Sequence, residues 1–496
     1  MPVTITILPD EPIGRINPNL YGHFIEHLGH CIDDGFWVGK ESPIPNTAGV
    51  RNDLIAAFRQ IAPPILRWPG GCFADDYHWR DGIGSPASRP KTINLWWGQS
   101  IEDNAFGTHE FINFCRLIGA EPYLAGNLGS GTVQEMRDWV EYCNCDKPGT
   151  LALQRSANGS PQPFGVKYWG VGNEAWGCGG NFCPEDYAAE YKRHATYLRD
   201  FGDAKLFLIA CGPDGNNPDW TRRFFQKLAG ADARFGHRLH GFAAHYYCGT
   251  AGTATEYTND QWYELLHKAA KVEDLIKDQR ALMDEFDPDK KIGLILDEWG
   301  TWHSPTPGRD PCRLWQQNTL RDALVAAITL DTFNRQADKL VMANLAQACN
   351  VLQSLFLTQG EQLVLTPTYH VFNLYQSHQA AQSLRTIIES PLISFAAADQ
   401  KQSIPALAGS ASIKGNTLTL TITNAHARHP VEAAINSGRF VPRSMTISTL
   451  THQDLQAHNT FENPRMLLPA SQSSDSAGSL RHTFAPASIT VLNMRG

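Results

Sequence analysis

The chain has 496 residues, 42% of them hydrophobic and 19% charged, with a formal net charge of −8. That length holds one large domain plus a smaller one, or three ordinary ones, and buries enough core to fold without crosslinks or a metal. The acidic balance and the lack of any Lys/Arg run argue against nucleic acid or an anionic membrane as the main partner, and no apolar stretch approaches the roughly 20 residues of a membrane span.

The N-terminus, "MPVTITILPDEPIG", alternates and then turns, with neither the basic nor the apolar region of a secretory signal. Eleven cysteines fall in no regular framework, which predicts reduced thiols and a cytoplasmic protein. Eight short apolar runs follow, each ending in polar residues or glycine: "NLYGHFIEHLG", "PPILRWPGG", "AEPYLAGNLG", "VKYWGVGNE", "KLFLIACGPDG", "HGFAAHYY", "IGLILDEWG" and "KLVMANLAQA". They are almost continuously apolar, as parallel strands covered on both faces are. Helical patterns lie between them, among them "THEFINFCRLIG", "PEDYAAEYKRHATYLRDFG" and "NTLRDALVAAITLDTFNRQ". The alternation predicts an α/β fold, a (β/α)8 TIM barrel, over residues 17–384. Beyond 384 the texture changes to period-two strands such as "GSASIKGNTLTLTITNAH", so residues 385–496 read as an antiparallel β-sandwich. The strand in residues 1–16 has the same texture and is expected to join it. The Ser-rich "PASQSSDSAGS" reads as an exposed loop of that domain.

The active site of such a barrel lies at the C-terminal ends of its strands. Glu174 ends the fourth run and Glu298 the seventh, while Glu26 sits near the end of the first. Arg67, Asn127, His245 to Tyr247 and Gln347 bring polar groups from the second, third, sixth and eighth. An isolated "NE" or "DEW" is unremarkable, a helix start or a structural ion pair. Two acids at the ends of strands lying across one barrel suit glycoside hydrolysis, where one carboxyl protonates the leaving oxygen and the other attacks the anomeric carbon. A separation of about 5–5.5 Å would make the reaction retaining. The amide of Asn173 would then reach a sugar hydroxyl beside the reacting carbon.

Other signals are weaker. "HFIEH" fits an inverted zinc-peptidase pattern, but that site needs a helix and the flanking glycines read as strand. Cys143 with Cys145, and Cys178 with Cys183, lack a C-x-x-C pair to complete a zinc site, and "GVGNEAWG" lacks the lysine and spacing of a phosphate loop. No metal and no cofactor are expected.

Seven motifs in order, "YGHFIEHLG", "RWPGGCFADDYHWRDGIG", "EDNAFGTHEF", "GSGTVQEMRDWVEYCN", "WGVGNEAWGCGG", "LDEWGTWH" and "QQNTLRDALVA", resemble the α-L-arabinofuranosidases of glycoside hydrolase family 51. The resemblance runs from about residue 13 to the C-terminus. It implies a catalytic barrel with a β-sandwich that includes the first strand, exo-removal of terminal α-L-arabinofuranosyl residues with retention, no cofactor, and a homo-hexamer. Residue by residue it implies Glu174 as acid/base, Glu298 as nucleophile, Asn173 as the amide beside the anomeric centre, and Glu26 as a carboxylate gripping arabinose hydroxyls. Tyr247 matches the sugar-side tyrosine, with Tyr246 the other register; Gln347 matches an amide at the eighth strand and Trp97 a tryptophan near the entrance. The chain departs from the pattern at Cys72, where some members place a sugar-contacting Asn, at Ala175 after the acid/base, and at Asp33 and Asp34. These departures are expected near the mouth, where they would bear on leaving-group preference.

The expected function is thus an intracellular retaining exo-α-L-arabinofuranosidase acting on arabino-oligosaccharides or fragments of arabinoxylan or arabinan. The rivals are β-xylosidase or endo-glucanase specificity on the same apparatus, and a non-catalytic sugar-binding barrel.

Overall fold

A computed structural model describes residues 3–229, 238–397, 400–474 and 480–496. All eight apolar runs form strands of one closed parallel barrel: β2 (Gly22–Phe24), β3 (Ile65–Trp68), β4 (Glu121–Gly126), β5 (Tyr168–Val171), β6 (Phe207–Asp214), β7 (Gly241–Gly249), β8 (Gly293–Trp302) and β9 (Leu340–Ala346). Each pairs with its sequence neighbour, and β9 closes on β2. Ile65, Tyr123, Ile209, Ala243, Ile295 and Met342 fill the barrel interior as a separate small core, while the outer faces of the strands pack on the helices. Polar side chains are thereby left to the C-terminal mouth.

The three helical patterns form helices Thr108–Ile118, Pro184–Tyr197 and Leu320–Arg335. The last begins with a capping box: Thr319 Oγ1 accepts from Arg321 N–H, and Asp322 Oδ2 accepts the Thr319 N–H at 2.7 Å. Fifteen of its residues are buried, because it lies between the barrel and the second domain. There Asp331 accepts hydrogen bonds from Ser410 Oγ (2.7 Å) and Thr421 Oγ1 (2.5 Å).

The second domain is a nine-stranded sheet. It contains β1 (Val3–Arg15), β10 (Gln382–Glu389), β11 (Leu407–Lys414), β12 (Thr417–Asn424), β13 (Val431–Asn436), β14 (Ser444–Thr451), β15 (Ala470–Ser474), β16 (Leu480–Phe484) and β17 (Ser488–Arg495), in the order β15-β14-β17-β12-β11-β10-β1-β13-β16. Neighbours are antiparallel except β1 and β13, which run parallel. Ile447 near one end of the sheet and Phe484 at the other share one core with Ile5 and Ile7, so the sheet folds over onto itself as a sandwich. The N-terminal strand is part of it, paired with β10 from Thr4–Glu389 to Arg15–Gln382. Strand β10 straddles residue 384, where the sequence suggested the division. The Ser-rich stretch differs from expectation: Ala470–Ser474 is an edge strand, paired with β14, and residues 475–479 lie outside the described part.

Candidate active site

The chain after β5 turns sharply at Gly172 (φ +86°) and Glu174 (φ +39°). Glu174 thereby leaves the strand direction and faces the mouth. Across the barrel Glu298 lies within β8, and the two carboxylates meet at His245 on β7. His245 Nδ1 is 2.9 Å from Glu174 Oε1 and 3.6 Å from Glu298 Oε2, and one oxygen of each carboxylate lies within 4.8 Å of the other.

Their surroundings differ. Arg67 of β3, itself buried, donates to Glu298 Oε1 at 2.6 Å, and the Tyr247 hydroxyl donates to Glu298 Oε2 at 2.7 Å. Burial alone would raise the Glu298 carboxyl, but His245, Arg67 and Tyr247 outweigh it and hold the group below the usual carboxylate range. Among the described residues no arginine hydrogen-bonds to Glu174, and Arg67 reaches it only as a more distant charge. Burial raises its carboxyl, the Glu298 charge adds to that, and the His245 bond only partly offsets them. One acid is thus biased toward the protonated form and its neighbour toward the ionised one, the division of labour a proton donor and a nucleophile need.

Arg67 also donates to the Asn173 side-chain oxygen at 2.5 Å, so one guanidinium ties the residue before Glu174 to Glu298. Asp297 steadies Arg67 from below, accepting hydrogen bonds from Tyr123 Oη at 2.6 Å and Asn344 Nδ2 at 3.0 Å.

Glu26 forms the third acidic corner. Its Oε1 accepts from the Phe73 N–H (3.0 Å) and Trp97 Nε1 (2.9 Å), and its Oε2 from Gln347 Nε2 (2.9 Å). Burial and then the Glu298 charge push its carboxyl up to about 7, against those three bonds. The "PGG" turn passes between the acids. A Cβ on Gly70 would meet Glu26 Cγ at 2.6 Å, and one on Gly71 would meet Glu298 Oε1 at 3.0 Å. Glu26, Cys72, Trp97, Glu174, Tyr247, Glu298, Trp302 and Gln347 line one narrow pocket, walled further by Leu28, Leu314 and Leu352.

Known proteins share this architecture. Residues 57–261 match the model of the α-L-arabinofuranosidase 1 domain, and residues 297–488 match that of the α-L-arabinofuranosidase C-terminal domain. A Bacteroides ovatus protein named an intracellular exo-α-L-arabinofuranosidase is 44% identical over 473 residues, covering 94% of this chain and 90% of its own. The crystal structure of the family 51 (GH51) arabinofuranosidase from Xanthomonas axonopodis pv. citri superposes with a TM-score of 0.94 at 38% identity, covering 99% of this chain and all of that one. The chain belongs to the α-L-arabinofuranosidases of glycoside hydrolase family 51. An arabinose complex of the Thermotoga maritima α-L-arabinofuranosidase, 32% identical with a TM-score of 0.88, covers both chains completely.

Within this family 51 site several expectations change. Tyr246 points out of the barrel, donating its hydroxyl to the Lys268 carbonyl at 2.6 Å, so only Tyr247 reaches the pocket. Asn127 does not reach it either; its amide bonds the Tyr77 carbonyl and Ser130 within its own loop. Ala175 is fully buried in the barrel's outer core rather than at the mouth. Asp33 is half-buried beside His27 and Glu102, and Asp34 pairs with His30. Cys72 does line the pocket, but not as a reduced thiol: it is joined to Cys178 in a disulfide lying 3.5–3.9 Å from Glu174 Oε2. The other cysteines among the described residues are free. His245, Arg67 and Trp302 carry more of the site than the sequence indicated. The first two were visible as polar residues at strand ends, whereas nothing in "TWH" marks Trp302 as a pocket wall.

Among the described residues three groups of side chains have metal-ligand character. One is the Glu174–His245–Glu298 cluster itself, whose carboxylates are already bonded to His245, Arg67 and Tyr247; in the other two the donors are engaged as well. Trp68 Nε1 donates to His27 Nε2, which puts the proton of a neutral ring on Nδ1 and leaves no lone pair there for an ion beside Glu102 and Asp33. The Cys72 and Cys178 sulfurs near Glu174 are bonded to each other. In "HFIEH", His23 packs between Phe58 and Phe372, away from Glu26.

Proposed function

We propose that the enzyme is a retaining, exo-acting α-L-arabinofuranosidase that removes terminal arabinofuranosyl residues from arabino-oligosaccharides or from fragments of arabinoxylan or arabinan. The observation that carries this reading is the Glu174–His245–Glu298 cluster, whose carboxylate oxygens lie within 4.8 Å of each other and whose environments favour opposite protonation states. An inverting enzyme needs room for a water between carboxyl groups about 6.5–9.5 Å apart, and so close an approach of one oxygen of each group favours the tighter, retaining arrangement. The pocket, walled by Trp97, Trp302 and the leucines, suits a single terminal sugar better than the middle of a chain.

In the first step Glu298 attacks the anomeric carbon while Glu174 passes its proton to the departing oxygen, leaving a β-linked ester on Glu298. That ester removes the Glu298 charge, so Glu174 ionises more readily. It then takes a proton from the water that displaces Glu298 and returns the α-anomer. Glu26 and Gln347, with Asn173 on the other side, hold the sugar hydroxyls. The cytoplasm is the proposed place of action. In support, the B. ovatus relative is named intracellular, and among the described residues no helix is long and apolar enough to cross a membrane.

The test follows the product anomer by NMR during hydrolysis of an aryl α-L-arabinofuranoside, with aryl β-D-xyloside and β-D-glucoside alongside for the rival specificities. Retention shows the α-anomer first. With azide, Glu298→Ala is expected to yield the β-azide by direct displacement. Glu174→Ala on an activated aryl substrate is expected to yield the α-azide, because azide then attacks the β-linked ester. A β-anomer formed first, or the two azides exchanged, refutes the assignment.

A further inference from the structure

Glu174 adopts a left-handed backbone conformation that favours glycine. Main-chain bonds from Gly177 N–H (2.7 Å) and Gly179 N–H (3.1 Å) to the Glu174 carbonyl close the turn on its far side. On the near side the anchor is Asp75, a buried acid outside the pocket in the short helical turn Cys72–Asp75. Its Oδ1 accepts the N–H groups of Leu128 (2.7 Å) and Gly129 (2.9 Å) from the loop after β4, and its Oδ2 accepts the Asn173 N–H at 2.8 Å. Its carbonyl accepts the Ser130 N–H at 3.0 Å.

The chain is built to bring the loops after β4 and β5 onto this one carboxylate. A Cβ on Gly129 would sit 2.9 Å from the Asp75 Cβ, and one on Gly179 would sit 2.7 Å from Asp75 Oδ2. Burying a carboxylate is unfavourable unless its oxygens are satisfied, and here they are satisfied by main chain from the ends of two neighbouring strands. The oxygen on Asn173 is one peptide away from the proposed proton donor.

We propose that Asp75 is a positioning residue for Glu174: by accepting the Asn173 N–H while fixed to the loop after β4, it holds the acid/base aimed at the leaving oxygen. The inference rests on the acid/base reading of Glu174 and adds to it a residue that touches no substrate.

Asp75→Asn tests it selectively. The amide oxygen takes the place of Oδ1 and keeps the Leu128 and Gly129 bonds, while the amide NH2 then faces the Asn173 N–H, donor against donor. The readout is kcat/KM, which ends at glycosylation, on a 2,4-dinitrophenyl α-L-arabinofuranoside and on an arabino-oligosaccharide. The first leaving group needs no proton and the second does. For Asp75→Asn the oligosaccharide rate is expected to fall roughly ten- to a hundredfold, from the unpaired buried donor, with the dinitrophenyl rate within about threefold of the parent. A purely structural role lowers both alike; equal losses, or no loss, overturn the proposal. Glu174→Ala is measured beside it. A leaving-group-dependent loss there but not in Asp75→Asn overturns the role of Asp75 alone, whereas its absence in both overturns the reading of Glu174 as well. If Asp75→Asn does not fold, Asp75→Ser, with a shorter acceptor, carries the same comparison.

Discussion

Replacing Glu26 with glutamine is expected to stabilise the protein above neutral pH while removing much of its activity. In the folded enzyme burial, and then the Glu298 charge, raise this carboxyl from 4.5 to about 7. Between those values the native state keeps a proton that the unfolded chain has lost. Stability therefore declines as pH climbs from about 4.5 to about 7, and the deficit is complete above that. At about 1.4 kcal/mol per pKa unit the deficit is about 3 kcal/mol, an upper figure because part of it comes from Glu298. Glutamine has the same shape and never ionises. Its oxygen can accept from the Phe73 N–H and Trp97 Nε1 as Oε1 does now, and its NH2 meets Gln347, whose own side-chain oxygen is buried without a partner and turns in by an amide flip. Urea denaturation of both proteins at pH 4 and pH 8 is the assay. The expected result is near equality at pH 4 and a variant more stable by about 1–3 kcal/mol at pH 8. If Glu26 grips the sugar hydroxyls as proposed, kcat/KM on an aryl arabinofuranoside is expected to drop at least about tenfold. A variant less stable than the parent at pH 8, or a stability gap that ignores pH, refutes the reasoning.

Two further expectations concern the neighbours of the acids. Tyr247→Phe removes the hydroxyl that donates to Glu298, a charged hydrogen bond worth about 1.5–3 kcal/mol, while Trp302 against the ring keeps it in place. Because that donor favours the ionised form, the acidic limb of the kcat/KM profile is expected to move to higher pH; an unmoved limb would contradict the role given to Tyr247. Cys178→Ser, or reduction by a dithiol, opens a bridge spanning 106 residues of sequence and is expected to cost about 2–5 kcal/mol of stability. Urea midpoints with and without dithiothreitol measure it, and identical midpoints would mean that the bridge does not form in solution.

Much of the barrel was legible because its strands are buried on both faces, so each reads as an apolar run that stops where the mouth begins. Glu26, Asn173, Glu174, Glu298 and Gln347 stand at those stops. The tyrosine register was harder. In "HYY" successive side chains point to opposite sides; Ala243 lies inside the barrel, so His245 and Tyr247 follow it inward, while the register shift against β8 takes up an extra β8 residue, Asp297. Asn127 also stands at a strand end, yet its short side chain is used by the loop that follows. The bridging position of His245 depends on two acids 71 residues before and 53 after it in the chain, and no local pattern encodes that meeting. The Cys72–Cys178 pair is of the same kind. Odd counts and spacings describe a framework only when cysteines pair nearby, and these two come together because the turns after β3 and β5 meet on either side of β4.

The placement of β1 has a consequence for how the chain is made. Val3–Arg15 leaves the ribosome long before its partners Gln382–Glu389 and Val431–Asn436. At about 5–20 residues per second the strand waits on the order of 20–80 s with its backbone unpaired, through the synthesis of the whole barrel. An extended segment with Val3, Ile5 and Ile7 along one side is in that interval an open sheet edge, able to pair with another nascent chain. The same geometry governs dissection. Cutting at residue 384 would split β10 and deprive the sandwich of β1, so an isolated C-terminal domain needs residues 3–15 supplied beside it.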